Sequence, residues 1–317
     1  MNRIGIYLAG LILLAGVVSC NRGKKAPTTR TSGTIHISAD ESFKSLIDTE
    51  IAVFENLHPD AHIIPKYTSE TQCFKDLIDS SAELIIVTRP LSKDEEAYFN
   101  KIEISMAQKK FARDGVALIV NPANKDSLMT MKNLKDIMLG KDTVKNYEVV
   151  FSIANSSLVH YVKDSVLEGK EFGEDIKTAG GSEEVVDYVA SHENALGVIG
   201  AGWISNPYDS TGLSFLDKIK VIALMGDSTH NYLEESGSFD PDDPAYRKYY
   251  FKPYQAYIAF KTYPLTRNVY FVLRQPYFGL GTGFANFLTG NKGQLIIYKQ
   301  RLFPLKFNYQ IRKANLH

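Results

Sequence analysis

Thr88-Arg89 stands at the end of the run ELIIVT (83–88), which is apolar throughout its interior. A hydroxyl followed by a guanidinium at the carboxyl end of a buried strand has the chemistry of an anion site. Arginine grips an oxyanion through two parallel N–H bonds, and open α/β sheets place ligands beyond the carboxyl ends of their strands. The alternative for Arg89 is a structural ion pair with Glu83 or with a carboxylate of the following helix. Further donors lie at segments that read as helix starts: SADESF (38–43), SETQ (69–72) and ANSSL (154–158). A helix start offers unpaired N–H groups and a dipole that favours negative charge. The same serines serve equally well as ordinary N-caps, because capping and anion binding use one geometry.

Other chemistries find little support. The chain has no HExxH, GxSxG, Walker or dinucleotide-binding motif, so no cofactor is expected. Seven histidines are scattered, and His58 and His62 are separated by Pro59, so no metal site is expected. Ser156-Ser157 and His160 lie one helical turn apart with no orienting acid nearby in sequence, and an enzyme is not expected.

The elements that must position these residues alternate between strand and helix. GTIHIS (33–38), AHIIPKY (61–67), ELIIVT (83–88), VALIVNP (116–122), VVFSI (149–153), ALGVIG (195–200) and KVIALM (220–225) read as strands. Several are apolar throughout, as parallel strands buried on both faces must be. Between them lie helical patterns at 42–54, 69–78, 130–140, 156–167 and 182–191. Capping boxes are suggested at Ser69/Gln72 and Ser92/Glu95. From Phe271 the pattern is expected to be helical to near Gly290, with another helix from Gly293 through Tyr298. The segment 226–256 is a long polar and aromatic connection, and YRKYYFKPYQAYIAF (246–260) reads as a return crossing with a core strand. The rhythm predicts an α/β protein with mostly parallel sheets flanked by helices.

The ends and totals bound the setting. MNRIGIYLAGLILLAGVVSC opens with one Arg and an apolar run too short for an ordinary membrane span. It resembles a lipoprotein signal with Val17-Val18-Ser19-Cys20 as lipobox, Cys20 being the lipidation site; a plain secretory signal or N-terminal anchor helix is the alternative. Either reading exports the protein, and the first attaches it to a membrane of the cell envelope with its body in the periplasm or extracytoplasmic space. Residues 21–32 read as a flexible tether. Only two cysteines occur, so lipidation of Cys20 leaves Cys73 without a disulfide partner. Lys plus Arg and Asp plus Glu both total 36, and this balance argues against a nucleic-acid partner.

Four segments in order carry a family resemblance: ELIIVTRPLSKDE (83–95), FARDGVALIVNPANKDSLMTMKNLKDIMLGK (111–141), ALGVIG (195–200), and YPLTRNVYFV (263–272) with FANFLTGNKGQLIIYKQRLFP (284–304). Together they resemble the phosphate-binding-protein family of ABC-transporter solute receptors. The resemblance implies a two-lobe type II periplasmic-binding-protein fold: a signal peptide at 1–20, a tether at 21–32, lobe 1 over 33–114, lobe 2 over 115–222, and a return segment completing lobe 1 over 223–317. It implies a monomer that binds inorganic phosphate or a related oxyanion and hands it to an ABC permease. A non-transport sensor or partner-binding lipoprotein with an altered pocket is the alternative.

The resemblance also implies that helix starts converge on a cleft, with Ser42, Phe43, Glu70, Thr71, Thr88, Arg89, Ser156 and Ser157 as ligand-binding residues. The chain departs from the pattern at several of these places. The family's Arg is replaced by Ser152, its Ser-Gly-Thr by Ser156-Ser157-Leu158, its Gly-Ser-Gly by Ser69-Glu70-Thr71, and a glycine by Asp40. Glu70 has three open roles. It accepts the proton of a protonated phosphate, it caps its helix or pairs with Arg89, or it marks a pocket for another ligand.

Overall fold

The computed structural model describes residues 28–142, 146–174, 176–205, 217–226 and 243–306. Cys20 and its signal segment, residues 21–27 of the tether, and most of the 226–256 connection lie outside the described residues. Among the described residues, no helix is long and apolar enough to cross a membrane.

The chain begins with β1 (Gly33–Asp40), a three-residue 3-10 turn at Glu41–Phe43, and α1 (Lys44–Leu57). There follow β2 (Ala61–Thr68), α2 (Glu70–Ile78), β3 (Leu84–Val87), α3 (Lys93–Lys101) and the 15-residue β4 (Met106–Val120). Then come β5 (Leu128–Met129), α4 (Met131–Met138), β6 (Glu148–Phe151), α5 (Ser157–Tyr161), β7 (Ile176–Thr178), α6 (Ser182–Ser191), β8 (Ala195–Gly200), α7 (Gly202–Ser205), β9 (Lys220–Val221) and β10 (Ala223–Met225). The chain returns through β11 (Tyr250–Phe251), α8 (Gln255–Phe260), β12 (Thr266–Arg274), α9 (Leu280–Leu288), α10 (Asn291–Lys299) and β13 (Phe303–Pro304).

Among the described residues ten strands form one curled sheet, with β2, β1, β3, β12, β4, β8, β6 and β7 side by side. The parallel pairs are β1–β2, β1–β3, β6–β7 and β6–β8; of their strands β3, β6 and β8 are the buried ones that the apolar runs predict, while the edge strands β2 and β7 are partly exposed. Strand β4 is the spine. Its first half pairs antiparallel with β12 up to Gly115, and its second half pairs with β8 from Val116. Val120 therefore belongs to one lobe and Met106 to the other.

The buried clusters divide at the same place. Two draw on residues from Ile35 to Ala112 and from Val269 to Leu302. The other two draw on residues between Val116 and Leu265. Leu224, Tyr263 and Leu265, expected to belong to the return, pack with the second lobe, where they share a core with Leu118 and Phe151. The Tyr263 hydroxyl donates to the Val116 carbonyl at 2.6 Å and Val116 N–H to the Leu265 carbonyl at 2.8 Å, so the second crossing lies beside the first.

Three local expectations change. Thr266–Arg274 is a strand, and the helix expected from Phe271 begins only at Leu280. The reason is period: Arg267, Val269 and Phe271 are buried at alternate positions. Residues 255–260 form a helix in place of the expected core strand, because Tyr254, Tyr257 and Phe260 stay on an exposed side while Ile258 is buried. The end of the tether is docked. Thr29 N–H donates to the Ser32 carbonyl at 3.0 Å, and the Arg30 carbonyl lies against Gly283, where an added Cβ would meet it at 1.7 Å.

Candidate functional site

One strand end, a 3-10 turn, one helix start and two paired strands meet between the lobes. β1 delivers Asp40 at its last position, immediately before the turn that carries Ser42 and Phe43. Ser157 opens α5 from the other lobe. β4 and β12 contribute Asp114 and Arg267, which are register partners across the antiparallel pair. All of these side chains are buried.

The Asp40 carboxylate sits at the centre of this group. Its Oδ1 accepts the Ser42 hydroxyl at 2.5 Å and the Ser157 hydroxyl at 2.7 Å, and its Oδ2 accepts the Ser157 N–H at 2.8 Å. Ser42 N–H adds a longer bond of 3.2 Å. Behind the hydroxyls lies Arg267. Its Nη1 donates to Ser157 Oγ at 2.6 Å and its Nη2 to Ser42 Oγ at 2.9 Å. Each hydroxyl thus accepts from the guanidinium and donates to the carboxylate, a relay in which every proton has one place. Asp114 holds the guanidinium from the other side, accepting Nε at 3.0 Å and Nη2 at 2.8 Å. The Phe43 ring lies 4.7 Å from the guanidinium carbon, a cation–π contact.

These donors converge on one anionic group, and that group is a side chain of the protein. Counted formally, Asp40, Asp114 and Arg267 sum to one negative charge. An added anion about 4 Å from Asp40 would meet a repulsion of about 4 kcal/mol per charge at an effective dielectric constant near 20. Nor is there open space, because Asp40 and Ser157 are fully buried; the cavity at Ser42, lined also by Phe43, Asp114 and Trp203 among others, has about 10 Å³, space for at most one water molecule. A wider cleft of about 520 Å³ opens beyond Glu41 and Trp203.

Neighbouring carboxylates close further cross-lobe bonds. Glu41 accepts the Ser182 N–H at 2.7 Å and its hydroxyl at 3.1 Å, so it caps α6 of the opposite lobe. Burial pushes the Glu41 carboxyl up, and the Ser182 donors only partly offset this. Trp203 Nε1 donates to the Ser42 carbonyl at 3.1 Å. Glu70 accepts Thr88 N–H at 2.5 Å and the Thr88 hydroxyl at 2.7 Å, and His160 Nδ1 lies 3.5 Å from its other oxygen. Burial would raise the Glu70 carboxyl, but His160 and the two Thr88 donors outweigh it and hold it below the usual carboxylate range.

The residues expected from sequence divide accordingly. Ser42 and Ser157 meet at the centre, and Phe43 joins them through its ring. Ser156 stands beside them as the N-cap of α5, accepting the Val159 N–H at 3.4 Å. Glu70 and Thr88 pair with each other, and Thr71, in the first turn of α2, makes none of the central bonds. Arg89 is elsewhere. It forms a bidentate pair with Glu95 at 2.8 and 2.9 Å, donates to the Pro90 carbonyl, and stacks 3.6 Å from the centre of the Phe74 ring. The ion-pair alternative holds for Arg89, and its partner is Glu95 of the Ser92/Glu95 capping box that opens α3. Glu70 neither pairs with Arg89 nor caps α2, whose N-cap is Ser69.

Arg267, Asp114 and the position of Asp40 are what the sequence reading missed. The signal was present in YPLTRNVYFV: Arg267 shares its face with Val269 and Phe271, and a charge on the buried face of a strand demands a partner.

Comparison with known proteins fits this architecture. The sequence profile of the PBP superfamily domain matches residues 24–292. A curated relative, "Phosphate-binding protein PstS 2" of Streptococcus agalactiae, is 23% identical over 128 residues, which is 40% of this chain and 42% of that protein. The chain thus spans less than half the length of the curated relative it matches. Among solved structures, a putative phosphate ABC transporter substrate-binding protein with bound phosphate from Clostridium perfringens superposes with a TM-score of 0.68 at 20% identity, covering 86% of this chain and 100% of the other. An ABC-type phosphate transport receptor from Vibrio cholerae gives a TM-score of 0.60 at 18% identity, over 86% and 100% of the two chains.

Proposed function

The chain belongs to the PBP superfamily, and from that premise we propose that it is a lipid-anchored, extracytoplasmic solute-binding protein, without catalysis, that takes inorganic phosphate or a related oxyanion for an ABC importer. One observation carries the ligand class. The Ser42 and Ser157 hydroxyls, the Ser157 N–H and the Arg267 guanidinium converge from both lobes on a single anionic group. Such convergent, buried donors stabilise a small oxyanion, and lobe closure around it excludes water. The phosphate receptors that share the fold support the choice of anion. The lipobox-like run Val17-Val18-Ser19-Cys20 supports the anchor, and the ABC-receptor relatives support the permease.

A second reading has its own observation. Asp40, Glu41 and Glu70 already take N–H donors that a free anion would need. On that reading the fold serves as a sensor or partner-binding lipoprotein with an altered pocket, since fold alone does not fix function.

Calorimetric titration of a soluble form beginning after Cys20 separates the two. Saturable heat with phosphate is the expected result, with none after Arg267→Gln and undiminished heat after Arg89→Ala. Absence of heat with phosphate, sulfate and arsenate, for the native protein and for Asp40→Ala alike, would establish the second reading.

A further inference from the structure

Resting on the oxyanion reading, we propose that the Asp40 carboxylate is an internal competitor for the site, a built-in ligand that holds the lobes together when no solute is bound and must leave before one enters. Four points of geometry support it. Asp40 lies at the end of β1 in one lobe, and three of its bonds go to groups that a bound oxyanion would use: the Ser42 hydroxyl, the Ser157 hydroxyl and the Ser157 N–H. Two of these reach across the cleft to the opposite lobe. The guanidinium polarises both hydroxyls toward the carboxylate, as it would toward a ligand. Asp40 and Ser157 are fully buried, so the place where these donors meet is filled by the carboxylate itself.

Occupancy by Asp40 and occupancy by phosphate are therefore mutually exclusive. A tethered carboxylate competes at a fixed effective concentration, so it lowers the apparent affinity by the fraction of time the site is self-occupied. It also gives the closed arrangement a stabilising contact that needs no solute. The receptor would rest closed and would open to exchange its own carboxylate for the ligand.

The test compares native protein, Asp40→Ala and Asp40→Asn, all beginning after Cys20. Each is titrated with phosphate, and each is measured by small-angle scattering with and without it. Melting curves confirm that the variants are folded, and Asp40→Asn preserves the shape if Asp40→Ala does not fold. The expected results are a phosphate affinity at least tenfold tighter in the variants, and a ligand-free native protein more compact than the ligand-free variants. Native and variant proteins that bind phosphate equally well would overturn the competitor while leaving the oxyanion reading intact. A ligand-free native protein as open as Asp40→Ala would also overturn it. If no protein binds phosphate but the variants alone open, the carboxylate latch is supported and the phosphate reading fails.

Discussion

Arg267→Ala is expected to destabilise the protein by about 3–5 kcal/mol, the cost of leaving one partner of a buried ion pair without the other. Arg267 and Asp114 are 3% and 1% exposed, so water cannot replace the lost guanidinium. The substitution also removes the donors to Ser42 and Ser157 and the cation over Phe43. Adding Asp114→Asn to Arg267→Ala is expected to recover part of the stability, because it removes the orphaned charge. It should recover none of the anion binding, because the guanidinium is still absent. Arg267→Lys keeps a charge but lacks the fork that serves Asp114 and both hydroxyls at once, so it should lose most of the binding. Arg89→Ala is the control. Its pair with Glu95 lies at the surface, where such pairs contribute about 0–1 kcal/mol. Urea unfolding of the four variants checks the ordering. Equal losses from Arg267→Ala and Arg89→Ala would refute this assignment of the buried pair.

The second large effect concerns Glu50, on the inner face of α1 among Leu46, Ile47 and Phe54. The residue is fully buried and neither carboxyl oxygen has a hydrogen-bond partner. Burial pushes its carboxyl well above the ordinary value. The direction of the pH dependence follows. Above the ordinary carboxylate range the unfolded chain has lost this proton while the folded protein keeps it. The folded state therefore binds more protons, and its stability falls as pH rises through that window. Glu50→Met, which fills a similar volume with apolar atoms, is expected to remove this part of the pH dependence. It should raise stability at neutral pH by about 1–3 kcal/mol, the usual cost of an unsatisfied buried polar group. Unfolding curves from pH 5 to pH 9 for both proteins measure it. Parallel curves with no gain for the variant would mean that Glu50 is ionised and compensated in the native state.

The order of strands and helices was legible because burial imposes period. The continuous apolar runs at 84–87 and 195–200 became central strands, and Ser92/Glu95 became a complete capping box. That same box explains the misplaced guanidinium. Glu95 was close enough in sequence to claim Arg89, and a local partner captures a flexible side chain at lower entropic cost than a distant cleft does. The first half of β4 was hidden by its composition. Lys109 and Lys110 are exposed, so MAQKKFARDG shows no core-facing alternation until Phe111. The central cluster was hidden for a different reason. Asp40 and Ser157 are 117 positions apart, and Ser42 and Arg267 are 225 apart. No local pattern pairs such residues. The sequence showed that the family's Arg was missing near Ser156 and that Asp40 stood where a glycine belongs. It did not show that a guanidinium arrives from β12 or that the new carboxylate fills the space.

The most direct test of the account is a crystal structure of Asp40→Ala grown with arsenate, whose anomalous scattering marks the anion without ambiguity. The account predicts one arsenate between the lobes, bonded to the Ser42 and Ser157 hydroxyls, the Ser157 N–H and Arg267, in the volume vacated by the carboxylate. Closed lobes with that volume empty, or arsenate bound only beside Arg89 or elsewhere on the surface, would contradict it.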